Sequence, residues 1–303
     1  MEERHYARRL KEIARDHRHG ATELARMALD LLADFSRNNT LESTEVAMAD
    51  LSRKAEELEK LRPSMAPIAN LVRDWRANLD QQADQSLEYA GKAWAAYAEW
   101  LIENSREAVA NTADNVCELV HEGMTIMTHS LISTLVSAFP QMSVIDDLQV
   151  IATESRPQNE GHWLCKVLSE LKIPNQLVTD AQMVLAVQEA DLVLVGADAL
   201  MPDGSVVNKV GTHLLALAAK AYGIPVYVCC ETFKRLPDET ESIELEEMDP
   251  DELQAPSYPH TRVRNVYFEI TPVNLLSGWV NEKGIVEFSV EAEEEPDAEL
   301  QEA

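Results

Sequence analysis

The sequence predicts an α/β protein in which an N-terminal helical domain precedes a Rossmann-like domain built on a mainly parallel sheet. Three observations carry that prediction. Up to about residue 122, apolar residues recur every three or four positions, the period of an amphipathic helix. Beyond that point short apolar runs alternate with helical segments, as they do when crossover helices link parallel strands. Runs such as "LVLVGA" are apolar throughout, the pattern of strands buried on both faces.

Taken in order, "ATELARMAL", "LARMALDLLADFSR" and the long "QSLEYAGKAWAAYAEWLIENSREAVANTADNVCELV" make residues 1–122 a helical domain. Its stripe of Trp94, Tyr97, Trp100 and Leu101 reads as core or as a seam for a partner helix. Residues 123–290 form the second domain, with strands expected at "TIMTHS", "LQVIATES", "NQLVTD", "DLVLVGAD", "VYVCC" and "VYFEIT". An acidic insertion at about 236–256 interrupts it: residues 238–252 hold nine acids and no Lys or Arg, the composition of a solvated or disordered segment. Residues 291–303, with seven acids, read as a disordered acidic tail.

Those two stretches supply sixteen of the negative charges behind the formal net charge of -27, and the remaining -11 is still acidic. Binding to phosphate backbones relies on clustered Lys and Arg, so nucleic acid is not an expected ligand. No apolar run reaches membrane-spanning length, and "MEERHYARRLKEIARDHRHG" lacks the apolar centre of a signal peptide, which reads as a cytoplasmic protein with no membrane partner. Cys117, Cys165, Cys229 and Cys230 show no metal-ligand spacing, so reduced thiols, no metal and no cofactor are expected.

In open parallel sheets ligands gather beyond the carboxyl ends of the strands. Here those ends read Thr128-His129-Ser130, then Thr153 to Pro157 with Gly161, then Thr179-Asp180, then Gly196-Ala197-Asp198. Asn208, Lys209, Gly211 and Thr212 precede the helix "HLLALAAKAYG", where a lysine and bare amides suit a phosphate. Capping and turn chemistry accounts for the same residues: Asn208 and Thr212 as caps, "PDGS" as a turn, Ser130 as the cap of "LISTLVSAF", and Pro157 opening a helix. His129 reads equally as a satisfied core histidine, and Arg156 as a turn residue paired with Glu154 or Glu160. An acid at Asp198, ending an apolar strand, favours a functional reading.

Together and in order, "THS", "TESRPQNEG", "GADALMPDGSVVNKVGTHLLALAAKAYGIPVYVCCETFK" and "VYFEITPVNLLSGWVNEKGIV" resemble the family that unites the α, β and δ subunits of eukaryotic translation initiation factor 2B with two sugar-phosphate isomerases. Those isomerases act on methylthioribose 1-phosphate and ribose 1,5-bisphosphate. The resemblance covers residues 121–287, and "HGATELARMAL" and "LRPSMAPIAN" resemble the family's substrate-facing N-terminal elements. It implies ligand contacts from His19, Gly20, Arg62, Arg156, Asn208 and Lys209, and an acid–base role for Asp198. Where the isomerases carry a catalytic cysteine this chain has Ser130, whose hydroxyl is much harder to ionise than a thiol. Where they carry an arginine it has His19, which lacks arginine's fork.

Three functions follow as alternatives. One is a non-catalytic regulatory or assembly subunit that binds a sugar phosphate or nucleotide, with an initiation factor as partner. A second is an aldose–ketose isomerase using Asp198, with Ser130 in the thiol's place. The third is a scaffold with a vestigial pocket. The resemblance implies a homodimer or higher homo-oligomer, with "TLVSAFPQM" or "LLSGWV" supplying part of its surface.

Overall fold

A computed structural model describes residues 3–16, 19–38 and 41–288. Five helices come first: α1 (Glu3–Ala14), α2 (Ala21–Arg37), α3 (Thr44–Glu59), α4 (Ala66–Ala77) and α5 (Leu87–Cys117). Their starts are locally encoded. Ser43 and Ser86 accept hydrogen bonds from Val46 N and Tyr89 N at the heads of α3 and α5, and Pro67 sits in the first turn of α4, where its missing N–H costs nothing. Gly91 lets α2 and α5 meet at van der Waals contact, because a Cβ there would lie 2.4 Å from the Ser36 carbonyl oxygen. The aromatic stripe divides. Trp94 and Leu101 are core, whereas Trp100 is 54% exposed and stacks on Tyr97 at 5.4 Å.

The second half is a seven-stranded sheet of β1 (Thr125–Thr128), β2 (Gln149–Thr153), β3 (Asn175–Val178), β4 (Leu192–Val195), β7 (Val226–Cys229), β9 (Gly278–Asn281) and β10 (Gly284–Glu287). The order is β10-β9-β7-β4-β1-β2-β3, parallel except for β10, which runs back against β9. Helices α6 (Ser133–Met142), α7 (Glu160–Glu170), α8 (Met183–Ala186) and α9 (Thr212–Tyr222) belong to the connections. One apolar core lies on each face of the sheet, and every residue of β4 is buried. Each such Val or Leu contributes about 1.5–3 kcal/mol of burial. The chain leaves β1 toward β2 and β3 and returns on its other side at β4, so the strand order reverses at β1, the place where such folds open a crevice.

Two expectations are corrected. "VYFEIT" is not a strand of the parallel sheet: its residues Phe268–Thr271 form β8, in a separate antiparallel sheet with β5 (Ala199–Leu200) and β6 (Val206–Lys209). Its Phe-Glu-Ile-Thr burial is uneven, as suits a strand covered on one face. This small sheet shares a core with the N-terminal helices through Ala199, Val207, Tyr267 and Phe268. Nor is the acidic stretch 238–252 simply solvated, since Ile243, Leu245 and Met248 pack against that same core between the acids. The proposed tail 291–303 lies outside the described residues.

The expected oligomer surfaces are corrected too. In "TLVSAFPQM" the large residues Leu135, Phe139 and Met142 are buried, and in "LLSGWV" Leu276 and Val280 are buried. Exposed apolar side chains gather instead on α8 and α9, at Val184, Leu185, Leu214 and Leu217. Among the described residues no helix is long and apolar enough to cross a membrane.

Candidate functional site

A cavity of about 90 Å³ lies where the carboxyl ends of β1 and β4 face the N-terminal helices and the small sheet. His19, Gly20, Arg62, Ser130, Asp198, Asn208 and Lys209 all line it, so seven of the eight site residues predicted from sequence come together. Arg156 does not. Its guanidinium turns away to donate to the Leu253 carbonyl at 3.2 Å, and Glu160 pairs with Lys209 instead of with it. Pro157 does not open a helix either, since α7 begins at Glu160.

The end of β1 is built around Glu160. The Ser130 hydroxyl donates to Glu160 Oε2, the Leu131 amide approaches the same oxygen at 3.3 Å, and Lys209 Nζ sits 2.8 Å from Oε1. Ser130 is therefore not the cap of α6, which starts three residues later after Ile132. Its backbone is left-handed at φ 68, and its amide donates to Ser155 Oγ. Gly161 lets α7 sit directly on the end of β2, where a Cβ would fall 1.8 Å from the Thr153 oxygen, and that contact sets Glu160 over Ser130.

His129 is a core histidine. Burial pushes its pKa below the usual value, although the Val210 carbonyl and the nearby Asp180 pull the other way. The neutral ring donates from Nε2 to the Val210 carbonyl at 2.9 Å and accepts at Nδ1 from the Thr153 hydroxyl at 2.6 Å, which assigns the tautomer. Asp180 holds the loop beside it, accepting from the amides of Ser155 and Arg156, each at 2.8 Å.

Asp198 follows β4. Its backbone is pinned on both sides, its amide donating to the Val207 carbonyl and its carbonyl accepting from the Ala66 amide at the head of α4. That leaves the half-buried side chain on the cavity wall. Burial raises its pKa to about 6, against the pull of Lys234, Lys209 and Arg62 and with a push from Glu160. A carboxyl titrating there exchanges a proton near neutral pH.

Asn208 and Lys209 lie on β6 and not in a loop, since "PDGS" is the hairpin turn before it, tightened by Asp203 accepting from Ser205. Asn208 Nδ2 donates to Thr212 Oγ1, which donates to the Lys209 carbonyl, and Lys209 Nζ lies 4.2 Å from the centre of the Tyr267 ring. The amides at the head of α9 are not bare. Glu269 Oε1, from β8, accepts from Gly211 N at 2.6 Å and His213 N at 2.9 Å, so the helix terminus expected to hold a phosphate already holds a carboxylate.

Sequence reasoning missed four charged residues here: Lys234, Glu231, Glu160 and Glu246. Lys234, in a turn after β7, lines the cavity and pairs with the fully buried Glu231 at 3.2 Å, while Thr134 donates to the other Glu231 oxygen at 2.6 Å. Burial alone would lower the pKa of Lys234, but Glu231, Cys230 and Asp198 outweigh it and leave it raised, so the ammonium persists. "CCETFK" is a strand end like the other four and carried that signal. Glu160 was noted only as a partner for Arg156. Glu246, within the acidic stretch, takes Arg62 Nε at 2.8 Å, and Arg62 Nη1 donates to the Asp16 carbonyl at 2.9 Å. Asp16 also receives His19 Nδ1 at 2.7 Å.

The cavity thus places two ammonium groups and a guanidinium around a carboxyl of raised pKa, an arrangement suited to a small hydroxylated anion. The chain is 33% identical over 280 residues to a Pyrococcus horikoshii protein described as translation initiation factor eIF-2B subunit 2-like, covering 91% of this chain and 94% of that one. It is 27% identical over 277 residues to the ribose 1,5-bisphosphate isomerase of Methanocaldococcus jannaschii, covering 88% and 86%. A crystal structure of the Pyrococcus horikoshii translation initiation factor eIF-2B superposes with a TM-score of 0.81 at 31% identity, over 95% of this chain and 98% of that one. The Initiation factor 2 subunit family matches residues 17–288, which takes in the helical layer, the sheet and every cavity residue from His19 to Phe268, and the chain belongs to that family.

Proposed function

We propose that the cavity binds a phosphorylated sugar or nucleotide and that the protein works as a regulatory or assembly subunit without turning its ligand over. The observation that carries this is the Ser130 hydroxyl, which donates to Glu160 while Lys209 pairs with the other oxygen of that carboxylate. A hydroxyl so placed is an alcohol, and no thiol is among the described residues that line the cavity with Asp198 to share a carbon-bound proton. Lys209, Lys234 and Arg62 supply the charge for a phosphate. On this reading the protein works in the cytoplasm, with an initiation factor as its partner. A homodimer or larger homo-oligomer would cover the apolar α8–α9 face.

Asp198 favours a second reading. A carboxyl with a pKa of about 6 on a cavity wall is a competent acid or base, so an aldose–ketose isomerase acting on a phosphorylated pentose is the alternative. NMR of the purified protein with ribose 1,5-bisphosphate and with methylthioribose 1-phosphate separates the two. Saturable binding without ketose supports the regulatory subunit. Ketose formation that disappears in Asp198→Asn establishes the isomerase.

A further inference from the structure

The acidic segment is tied to the cavity wall at Arg62 and Tyr267 and beside it at Ser64 and Arg156. Glu246 takes Arg62 Nε at 2.8 Å and lies 3.3 Å from the Ser64 amide. Ser64 Oγ donates to the Glu244 carbonyl and accepts from the Glu246 amide, a reciprocal clasp. Glu252 accepts from the Tyr267 hydroxyl, whose ring underlies Lys209. Arg156 donates to Leu253 O. Between these points the segment has little regular structure of its own: one short turn at Pro250–Leu253 and an isolated bridge from Glu247 to Val266.

Arg62 decides what this clasp means. A guanidinium grips a phosphate through two adjacent N–H groups, either Nε with one Nη or the two Nη together. Glu246 occupies Nε, so the side-on fork has one arm taken, and the Asp16 carbonyl takes one of the two N–H groups of Nη1. A side-on grip on phosphate through Nε requires Glu246 to let go, and an end-on grip brings the phosphate beside the Asp16 carbonyl. Glu246 is the easier to displace. Its segment holds nine acids within residues 238–252, which repel one another once a cation that offsets them is removed, and it is anchored by few apolar side chains. The cavity is also small. At about 90 Å³ it falls well below the roughly 300–1,000 Å³ of small-molecule sites, so a pentose phosphate enters only if part of the wall moves.

Resting on the phosphate-binding reading above, we propose that residues 238–253 form an internal competitor strap: Glu246 stands on Arg62 in the place of a ligand phosphate, and a phosphate monoester that takes Arg62 releases the strap from the cavity wall. Occupancy of the cavity then changes an acidic surface outside it, which gives a bound sugar phosphate a way to be sensed by a partner. The exchange follows from the shared arginine, because two anions compete for the same donors.

The test uses the full chain and its Glu246→Gln variant, which keeps the side-chain shape and an acceptor for Arg62 but removes the charge. Titration calorimetry with ribose 1,5-bisphosphate, and separately with inorganic phosphate, is run beside hydrogen–deuterium exchange of residues 240–253. The strap predicts that Glu246→Gln binds about fivefold or more tightly than the parent, the scale of a typical coupling between sites. It also predicts that ribose 1,5-bisphosphate accelerates exchange in residues 240–253 of the parent, a readout that needs no variant. If the variant binds equally or more weakly and exchange in the parent is unchanged or slowed, Glu246 only positions Arg62. The strap is then wrong and the phosphate site stands. If neither probe binds either folded protein, the phosphate site fails and the strap fails with it.

Discussion

Replacing Asp198 by asparagine should stabilise the ligand-free protein, and only above mildly acidic pH. In the unfolded chain the carboxyl titrates near 3.8, and in the fold at about 6, because burial disfavours the ionised form more than Lys234, Lys209 and Arg62 together favour it. Between those values the folded protein keeps a proton that the unfolded chain has released, so stability falls as pH rises through that window. Above it the ionised carboxylate costs the fold about 3 kcal/mol, at roughly 1.4 kcal/mol per pKa unit. An asparagine side chain carries no such cost. Urea denaturation of parent and Asp198→Asn at a series of pH values should therefore show a gap that moves by about 3 kcal/mol in favour of the variant between about pH 4 and about pH 7.5, most of it before about pH 6.5. A gap that stays constant with pH, or that moves toward the parent as pH rises, would refute the claim that this carboxyl titrates near neutrality.

Other substitutions probe the frame around it. Lys234→Met leaves Glu231 buried without its cation and should destabilise the protein by about 3–5 kcal/mol, measured by urea denaturation. Gly161→Ala drives a Cβ into the Thr153 carbonyl, a backbone atom that cannot step aside, and should cost about 1–3 kcal/mol or prevent folding, read from the thermal midpoint and soluble yield. Placing Asp at both Leu214 and Leu217 puts charge on the exposed face of α9 and should convert an oligomer to monomer in light scattering, with the circular dichroism spectrum unchanged.

Most of this architecture is legible in the sequence because the signals are local. The helical period before residue 122 and the apolar runs after it are visible within single windows, and "GAD" and "THS" end strands whose neighbours follow from the parallel-sheet rule. What escaped depends on pairing across the chain. Composition marks 238–252 as solvated, yet the alternation in "SIELEEM" already sets Ile243, Leu245 and Met248 apart from the acids, and only the partner core shows where they go. The alternating "FEIT" of β8 was likewise visible, but its antiparallel partner β6 lies about 60 residues away in sequence, hidden behind a turn signal. Arg156 misled because residue type argues for phosphate while a backbone carbonyl almost 100 residues later decides where it points. Lys234 and Glu231 were missed because a buried ion pair three residues apart in a turn looks, in sequence, like surface charge.

The carboxylate of Glu269 on the amides of Gly211 and His213 has a consequence for how any anion is held. Backbone donors at a helix head are rigid and recognise an oxyanion wherever it comes from, whereas ammonium and guanidinium groups on long side chains adjust to the shape of what arrives. With the helix head filled from β8, the proposed recognition falls to Lys209, Lys234 and Arg62, each already paired with a carboxylate. If the cavity takes a sugar phosphate as proposed, binding becomes a trade of one anion for another, and selectivity would come from the fit of the sugar more than from the attraction of its phosphate.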